Sequence, residues 1–138
     1  MTNPVVVDSS VAYKWLSARE EAAVAEANAL LDAHDAGEIM LVAPTTLHVE
    51  LANALRYSKW LTPAEALELV AELDGFQVEL ANIDAGLLER GARLAFAHGI
   101  SVYDALFLAL AEKLECPLVT ADRRAFGSID SGVEIRLL

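Results

Sequence analysis

Only one cysteine, Cys116, stands among the 138 residues. A lone thiol excludes an internal disulfide framework and fits a reducing compartment. Bases are scarce: 10 Lys+Arg face 21 Asp+Glu, a formal net charge of -11 at pH 7. That balance argues against a general cationic coat for nucleic acid, pending where the charges sit. No Gly/Ser-rich linker, low-complexity segment or internal repeat is found. Long apolar runs are missing too. A membrane span needs about 20 mainly apolar residues. Stretches without acid or base, such as Ile39–Val49 (with Pro44 and His48) and Ala105–Ala111, fall short. The opening MTNPVVVDSS has no basic region and its apolar run ends at Asp8, so no signal peptide is expected. His34, His48 and His98 are scattered, and with Cys116 they form no set of zinc spacing.

What is present is an apolar majority. Hydrophobic residues make up 55% of the chain, far more than an acidic disordered chain carries. The length suits one domain over residues 1–138. The expectation is a cytoplasmic, membrane-free protein with a substantial core, Cys116 being a small buried hydrophobe within it. Val5–Val7, Ile39–Val42, Leu118–Thr120 and Val133–Leu138 read as short, fully apolar strands, with Gln77–Leu80 a weaker candidate. Helical segments alternate with them. Glu20–Ala36 is rich in Ala, Glu and Leu, and Thr45 or Thr46 opens a helix continuing to about Trp60. Thr62-Pro63 with Glu65 gives a cap, a first-turn proline and an N3 acid, for a helix ending near Asp74-Gly75. Ala85–His98 stops at Gly99. Ser101 caps a last long helix reaching Glu115, before Cys116-Pro117. Alternation of this kind predicts an α/β fold with a mainly parallel sheet.

Acids occur where such a fold would bury them. In these folds ligands bind at the carboxyl ends of the strands. Asp8 directly follows Val5–Val7, and Asp122 lies two residues after Thr120. Either could equally serve as a turn or cap residue. Asp104 opens the helix VYDALFLALA, which is apolar nearly all round; a capping box with Ser101 is its structural alternative. Glu50 belongs to the polar stripe Thr46, Glu50, Asn53, Tyr57, beside the apolar stripe Leu47, Leu51, Leu55. A solvated helix-edge glutamate is the competing reading. Helix N-termini and strand C-termini share one edge of a parallel sheet, so these acids can converge there. Mg²⁺ or Mn²⁺ prefers such oxygen ligands, with substrate phosphate and water completing the shell. The pattern thus points to a carboxylate site for phosphoryl-transfer or phosphodiester chemistry.

At these residues the sequence resembles the PIN-domain ribonucleases, in particular the VapC toxins of bacterial toxin–antitoxin pairs. The matching pieces are VVVDSSV at Val5–Val11, HVELANAL at His48–Leu55, SVYDALFLALAEKL at Ser101–Leu114 and LVTADRRAF at Leu118–Phe126. They follow the family's order across nearly the whole chain, and the length is that of a stand-alone toxin. The resemblance implies a three-layer α/β/α sandwich around a mainly parallel sheet. It also implies a Mg²⁺- or Mn²⁺-dependent endoribonuclease, usually a homodimer, inhibited by a small VapB-like antitoxin whose C-terminal segment lies in or near the acidic groove. Asp8, Glu50, Asp104 and Asp122 match the family's acids. By that match Asp8, Asp104 and Asp122 hold the metal, and Glu50 binds it directly or through water. Thr120 matches the hydroxyl of the threonine-any-aspartate motif, Ser9 the small polar position after the first acid, and Asn53 a polar position one turn after the helix acid. Ser9 and Thr120 would position ligands or water, or merely cap helices. In-line attack of water, its proton taken by one of the carboxylates, would leave a 5′-phosphate and a 3′-hydroxyl.

Two other classes compete. A metal-dependent phosphatase or phosphotransferase would use Asp8 as nucleophile. A haloacid-dehalogenase-like enzyme needs a second Asp two residues on, where this chain has Ser10, and no Gly-rich loop leads to Lys-Ser/Thr. A non-catalytic α/β interaction module would carry the acids as solvated or structural groups. Aromatic residues Tyr13, Trp15, Tyr57, Trp60 and Tyr103 could stack RNA bases, though core or dimer packing is the plainer role.

Location resolves the charge. Glu20–Glu38 and Leu61–Glu89 carry six and seven acids and no Lys or Arg, as solvated helix faces would. Lys14, Arg56, Lys59, Arg123 and Arg124 lie close in sequence to the candidate acids. They are candidates for a cationic rim facing RNA, with surface ion pairs the alternative. The excess of acid therefore excludes broad electrostatic coating and leaves room for a metal-bridged, locally basic site.

Overall fold

Short aliphatic runs become strands because their side chains are covered on both faces. The structure, a computed structural model, describes residues 3–16 and 22–138. The strands are β1 (Asn3–Val7), β2 (Ile39–Pro44), β3 (Glu79–Ala81), β4 (Leu118–Thr120) and β5 (Ile135–Leu137). They form a five-stranded sheet in the order β3-β2-β1-β4-β5. Every pairing is parallel, with Val5 opposite Leu41, Val6 opposite Leu118, Val42 opposite Glu79 and Leu118 opposite Ile135. Each apolar run named above contributes to a strand, and the weaker candidate Gln77–Leu80 supplies Glu79 and Leu80 to the edge strand β3.

The helices are α1 (Ser9–Ala12), α2 (Val24–Asp35), α3 (Leu47–Arg56), α4 (Pro63–Ala71), α5 (Ala85–His98), α6 (Val102–Leu114) and α7 (Arg123–Phe126). Right-handed crossovers from β1 through β2 to β3 put α1–α4 on one face, and the return to β4 puts α5 and α6 on the other. The packing agrees: α6 lies against β1, β2 and β4, while α1 packs on α3 and α3 on α4. The result is the three-layer α/β/α sandwich. Helix α6 is buried without a break from Ala105 to Ala111, as its all-round apolar sequence requires. Gly91 lets α5 approach it closely, since a Cβ there would stand 2.9 Å from Leu106 Cδ2. Arg90 adds a bidentate pair with Glu112, at 2.6 and 2.8 Å, between the same two helices.

Most helix boundaries follow the local chemistry. Thr62 and Glu65 form the reciprocal capping box, with bonds of 2.9 and 3.2 Å. Helix α5 ends at Gly99, whose φ of +66° suits the left-handed region. Three boundaries differ from the sequence reading. Helix α4 stops at Ala71 rather than near Asp74-Gly75, where the chain tightens into a 3-10 turn over Leu73–Phe76. Helix α3 stops at Arg56 rather than near Trp60, because Thr62, extended before Pro63, must already cap α4, and the chain turns back in the residues between. Helix α2 begins at Val24, after Ala23 in a left-handed conformation; the expected start at Glu20 lies outside the described residues.

Two side chains close gaps in the frame. Strand β3 reaches β2 only from Val42 onward. Below it, His34 stands in for the missing strand: its Nδ1 accepts the Leu41 amide at 3.1 Å and its Nε2 lies 3.0 Å from the Gln77 carbonyl. With Nδ1 an acceptor, the proton is on Nε2, which donates to Gln77. Trp15 donates its indole N–H to the Ala27 carbonyl at 2.8 Å and tilts against Phe76, a packing role. Cys116 is buried, as expected. Among the described residues no single helix is long and apolar enough to cross a membrane.

Candidate active site at the carboxyl edge of the sheet

The strand order fixes where a site can form. The chain runs outward from β1 to β2 and β3, then returns to β4 and β5 on the other side of β1. This reversal opens a crevice between the carboxyl ends of β1 and β4, the usual ligand position in open α/β sheets. Asp8 leaves β1 there, and Asp122 follows β4. Helices α3 and α6 begin at the same edge and bring Glu50 and Asp104.

Asp8 is 2% exposed and occupies the N-cap position of α1, yet its side chain caps nothing. Its Oδ2 accepts the Ser10 hydroxyl at 2.7 Å and the Thr120 hydroxyl at 2.9 Å. Its Oδ1 is buried with no partner. Burial pushes the Asp8 carboxyl above its ordinary range; the two hydroxyls and, more weakly, the Ser9 backbone amide oppose the shift, and the negative charge of Asp104 adds to it. Glu50 repeats the arrangement. Oε1 accepts Ser9 Oγ at 3.2 Å, while Oε2 is buried and unpartnered. Its carboxyl is raised to about 7, first by desolvation and then by Asp8 and Asp104, against the hydroxyls of Thr46 and Ser9. Thr46, at the N-cap of α3, does not cap with its side chain; its buried Oγ1 faces Glu50 without a hydrogen bond of ordinary geometry.

Asp104 is half-buried in the first turn of α6, where Ser101 Oγ accepts its amide at 3.1 Å. Burial and the charge of Asp122 raise its carboxyl, with Ser101 opposing. Asp122 caps α7 through Oδ1, accepting the Ala125 amide at 3.0 Å, and its own amide is held by Thr120 Oγ1 at 3.0 Å. The four acids therefore feel one another, and no base appears among the causes of the shifts at Asp8, Glu50 or Asp104. Among the described residues no three acidic, His or Cys side chains are grouped closely enough to hold an ion as they stand.

Other candidates spread more widely. Ser9 and Thr120 join the acids, but Asn53 is exposed on α3. Arg123 and Arg124 are exposed on α7, immediately after Asp122. Arg56 is about 9 Å along the helix axis from Glu50, and its guanidinium lies 5.2 Å over the Tyr57 ring. Lys59 lines a groove of about 760 Å³ with Tyr13, Leu55, Trp60 and Leu69, which none of the four acids borders. Lys14 is half-buried in the 3-10 turn after α1. Tyr57, Trp60 and Tyr103 are exposed, unlike Trp15. Sequence reasoning gave no site role to Ser10 or to the Thr46 hydroxyl. The DSS run and the Thr four residues before Glu50 were visible signals, but their directions were not.

The PIN domain family model matches residues 5–131. The chain belongs to the PIN-domain family. A curated relative of this PIN domain, Ribonuclease VapC3 of Pyrobaculum aerophilum, is 39% identical over 61 residues, 44% of this chain and 47% of the relative. The match thus spans about half the length of that relative. Among solved structures, a DNA-bound VapBC from Salmonella typhimurium superposes with a TM-score of 0.71 at 16% identity, covering 98% of this chain and 97% of the other. VapC20 of Mycobacterium tuberculosis, described as a Sarcin-Ricin loop cleaving toxin, gives 0.68 at 16% identity, over 94% and 98% of the two chains. At such identities the structural likeness is one of fold, and the fold is that of this PIN domain throughout.

Proposed function

We propose that the chain is a divalent-metal-dependent endoribonuclease that hydrolyses RNA phosphodiesters, acting as the toxin of a VapBC-type pair. The observation that carries this reading is the pair of bare oxygens, Asp8 Oδ1 and Glu50 Oε2, buried at the switch point beside two further acids. Buried carboxylate oxygens without a donor are costly unless something positive meets them. Hard, all-oxygen donors fit Mg²⁺ or Mn²⁺. Asp8, Asp104 and Asp122 would hold the ion, with Glu50 beside it, directly or through water. No three of the described acidic, His or Cys side chains are grouped closely enough as they stand, so holding an ion would require side-chain rotation. Such an ion, when bound, lowers the pKa of a water and stabilises charge developing on the phosphoryl group.

The chain's own residues do the rest. Glu50, held near neutrality, is the group suited to accept the proton of the attacking water at Oε2. Water oxygen bonds to phosphorus, the bond to O3′ breaks, and the leaving oxygen takes a proton from solvent, giving a 5′-phosphate and a 3′-hydroxyl. Arg123 and Arg124, next to Asp122, are placed to meet RNA phosphates. The cytoplasm, where RNA is found, is the proposed location. Exposed apolar side chains Val49 and Tyr103, the chain neighbours of Glu50 and Asp104, support a surface covered by a second copy or by a VapB-like antitoxin.

The test is cleavage of RNA by purified protein with Mg²⁺ or Mn²⁺, with EDTA, and in Asp8→Asn. Cleavage that needs the ion, yields 5′-phosphate ends and falls by more than about 100-fold in a folded Asp8→Asn protein is expected. Full cleavage by a folded Asp8→Asn protein would falsify the assignment.

A further inference from the structure

Ser10 makes more bonds than a residue in the first turn of a short helix needs. Its Oγ donates to Asp8 Oδ2 at 2.7 Å and accepts the Ala121 amide at 2.9 Å, and Thr120 Oγ1 is 3.3 Å away. Thr120 Oγ1 donates to the same Oδ2 at 2.9 Å and accepts the Asp122 amide at 3.0 Å. Each hydroxyl has one proton. Both protons go to Asp8 Oδ2, so the approach of the two hydroxyls is a contact, not a third bond. Each then accepts one amide from the turn that leaves β4.

Two consequences follow. Oδ2 is saturated, so Oδ1 is the Asp8 oxygen left to meet a ligand. The turn bearing Asp122 is also tied to the end of β1 through side chains, beyond the backbone ladder of β1 and β4. Ser9 cannot replace Ser10 here: one residue earlier on the helix, it faces Glu50. We propose that Ser10 is a positioning residue of the cation site, fixing which Asp8 oxygen is presented and holding the Asp122 turn to it. This rests on the metal-dependent reading above. Partners of this kind, one step behind the ligands, typically change metal affinity by about 10–100-fold when lost.

A serine with only a packing role would cost stability on truncation and leave ion affinity unchanged. Calorimetric Mn²⁺ titrations of wild type, Ser10→Ala, Ser10→Cys and Ser10→Thr separate the two roles, with unfolding midpoints in EDTA as the check on folding. Expected is binding about 10–100-fold weaker in Ser10→Ala and near-wild-type binding in Ser10→Thr, which keeps the hydroxyl. Ser10→Cys, close in shape but a weak donor, should weaken binding in the same direction, and it serves if Ser10→Ala does not fold. Wild-type Mn²⁺ affinity in a folded Ser10→Ala or Ser10→Cys overturns the positioning role and leaves the nuclease reading standing. Absence of Mn²⁺ binding by the wild type overturns that reading, and this inference with it.

Discussion

Glu50 carries a proton near neutrality because its carboxyl is partly withdrawn from water and faces other acids. An unfolded glutamate ionises around 4.5, whereas Glu50 in the fold ionises at about 7. Between these values the native state binds more protons than the unfolded state, so stability falls as pH rises. The penalty is absent below the lower value and complete above the upper one. Asp8 and Asp104, both raised, act with the same sign. Screening at the exposed edge of Glu50 limits its share to about 1–2 kcal/mol. Urea unfolding in EDTA between pH 4.5 and 8 should show this decline, and Glu50→Gln should flatten part of it; an unchanged slope in Glu50→Gln would count against the shift. The residue scale also shows what sequence could reach. The acids were legible because carboxylates beside buried strands and in an apolar helix are out of place. The work of the serines was not, because adjacent residues on α1 differ by roughly 100° in direction, and only the surroundings say which faces which acid.

At the scale of elements, α6 joins fold to site. Its buried run anchors it between sheet and α5, and its first turn carries Asp104 at the rim. Ser101 holds that turn by accepting the Asp104 amide. Ser101→Ala should cost about 1 kcal/mol of stability. It should also weaken Mn²⁺ binding, since Asp104 loses the hydroxyl beside its carboxyl; thermal unfolding and calorimetry measure the two effects separately. Caps and stops of this kind are local chemistry. That is why α4, α5 and α6 could be bounded from sequence through Thr62-Pro63, Gly99 and Ser101. The end of α3 was misread because Arg56–Trp60 has acceptable helix formers, while the need to reverse direction before α4 comes from packing.

For the whole molecule, the candidate cluster is a standing electrostatic cost to the fold. Four acids share one edge of a chain whose formal charge is already -11. An ion that binds only the folded form stabilises it by about 2.7 kcal/mol at a hundred times its dissociation constant. Mn²⁺ should therefore raise the unfolding midpoint where equal ionic strength of NaCl does not, and Asp8→Asn should remove the difference. Binding should also release protons near pH 7, because Glu50 ionises as the cation arrives. Calorimetry in buffers of different ionisation enthalpy reads that release directly; equal heats in such buffers would argue against a protonated Glu50.

The sequence by itself determined the alternation of strands and helices and the parallel sheet, and it marked the four acids as candidates. Those depend on local patterns: apolar runs of strand length, caps, and carboxylates in apolar surroundings. The tertiary structure decided which groups meet. It put β1 beside β4 at the switch point, so that residues 8 and 120, far apart along the chain, share a hydrogen bond. It set Ser10 on Asp8 and Ser9 on Glu50, left one oxygen of each acid bare, and carried Asn53 to the surface and Lys59 to a separate groove. The reason is physical: burial and partnership belong to the packed chain, and a pattern of residue types does not contain the directions of side chains.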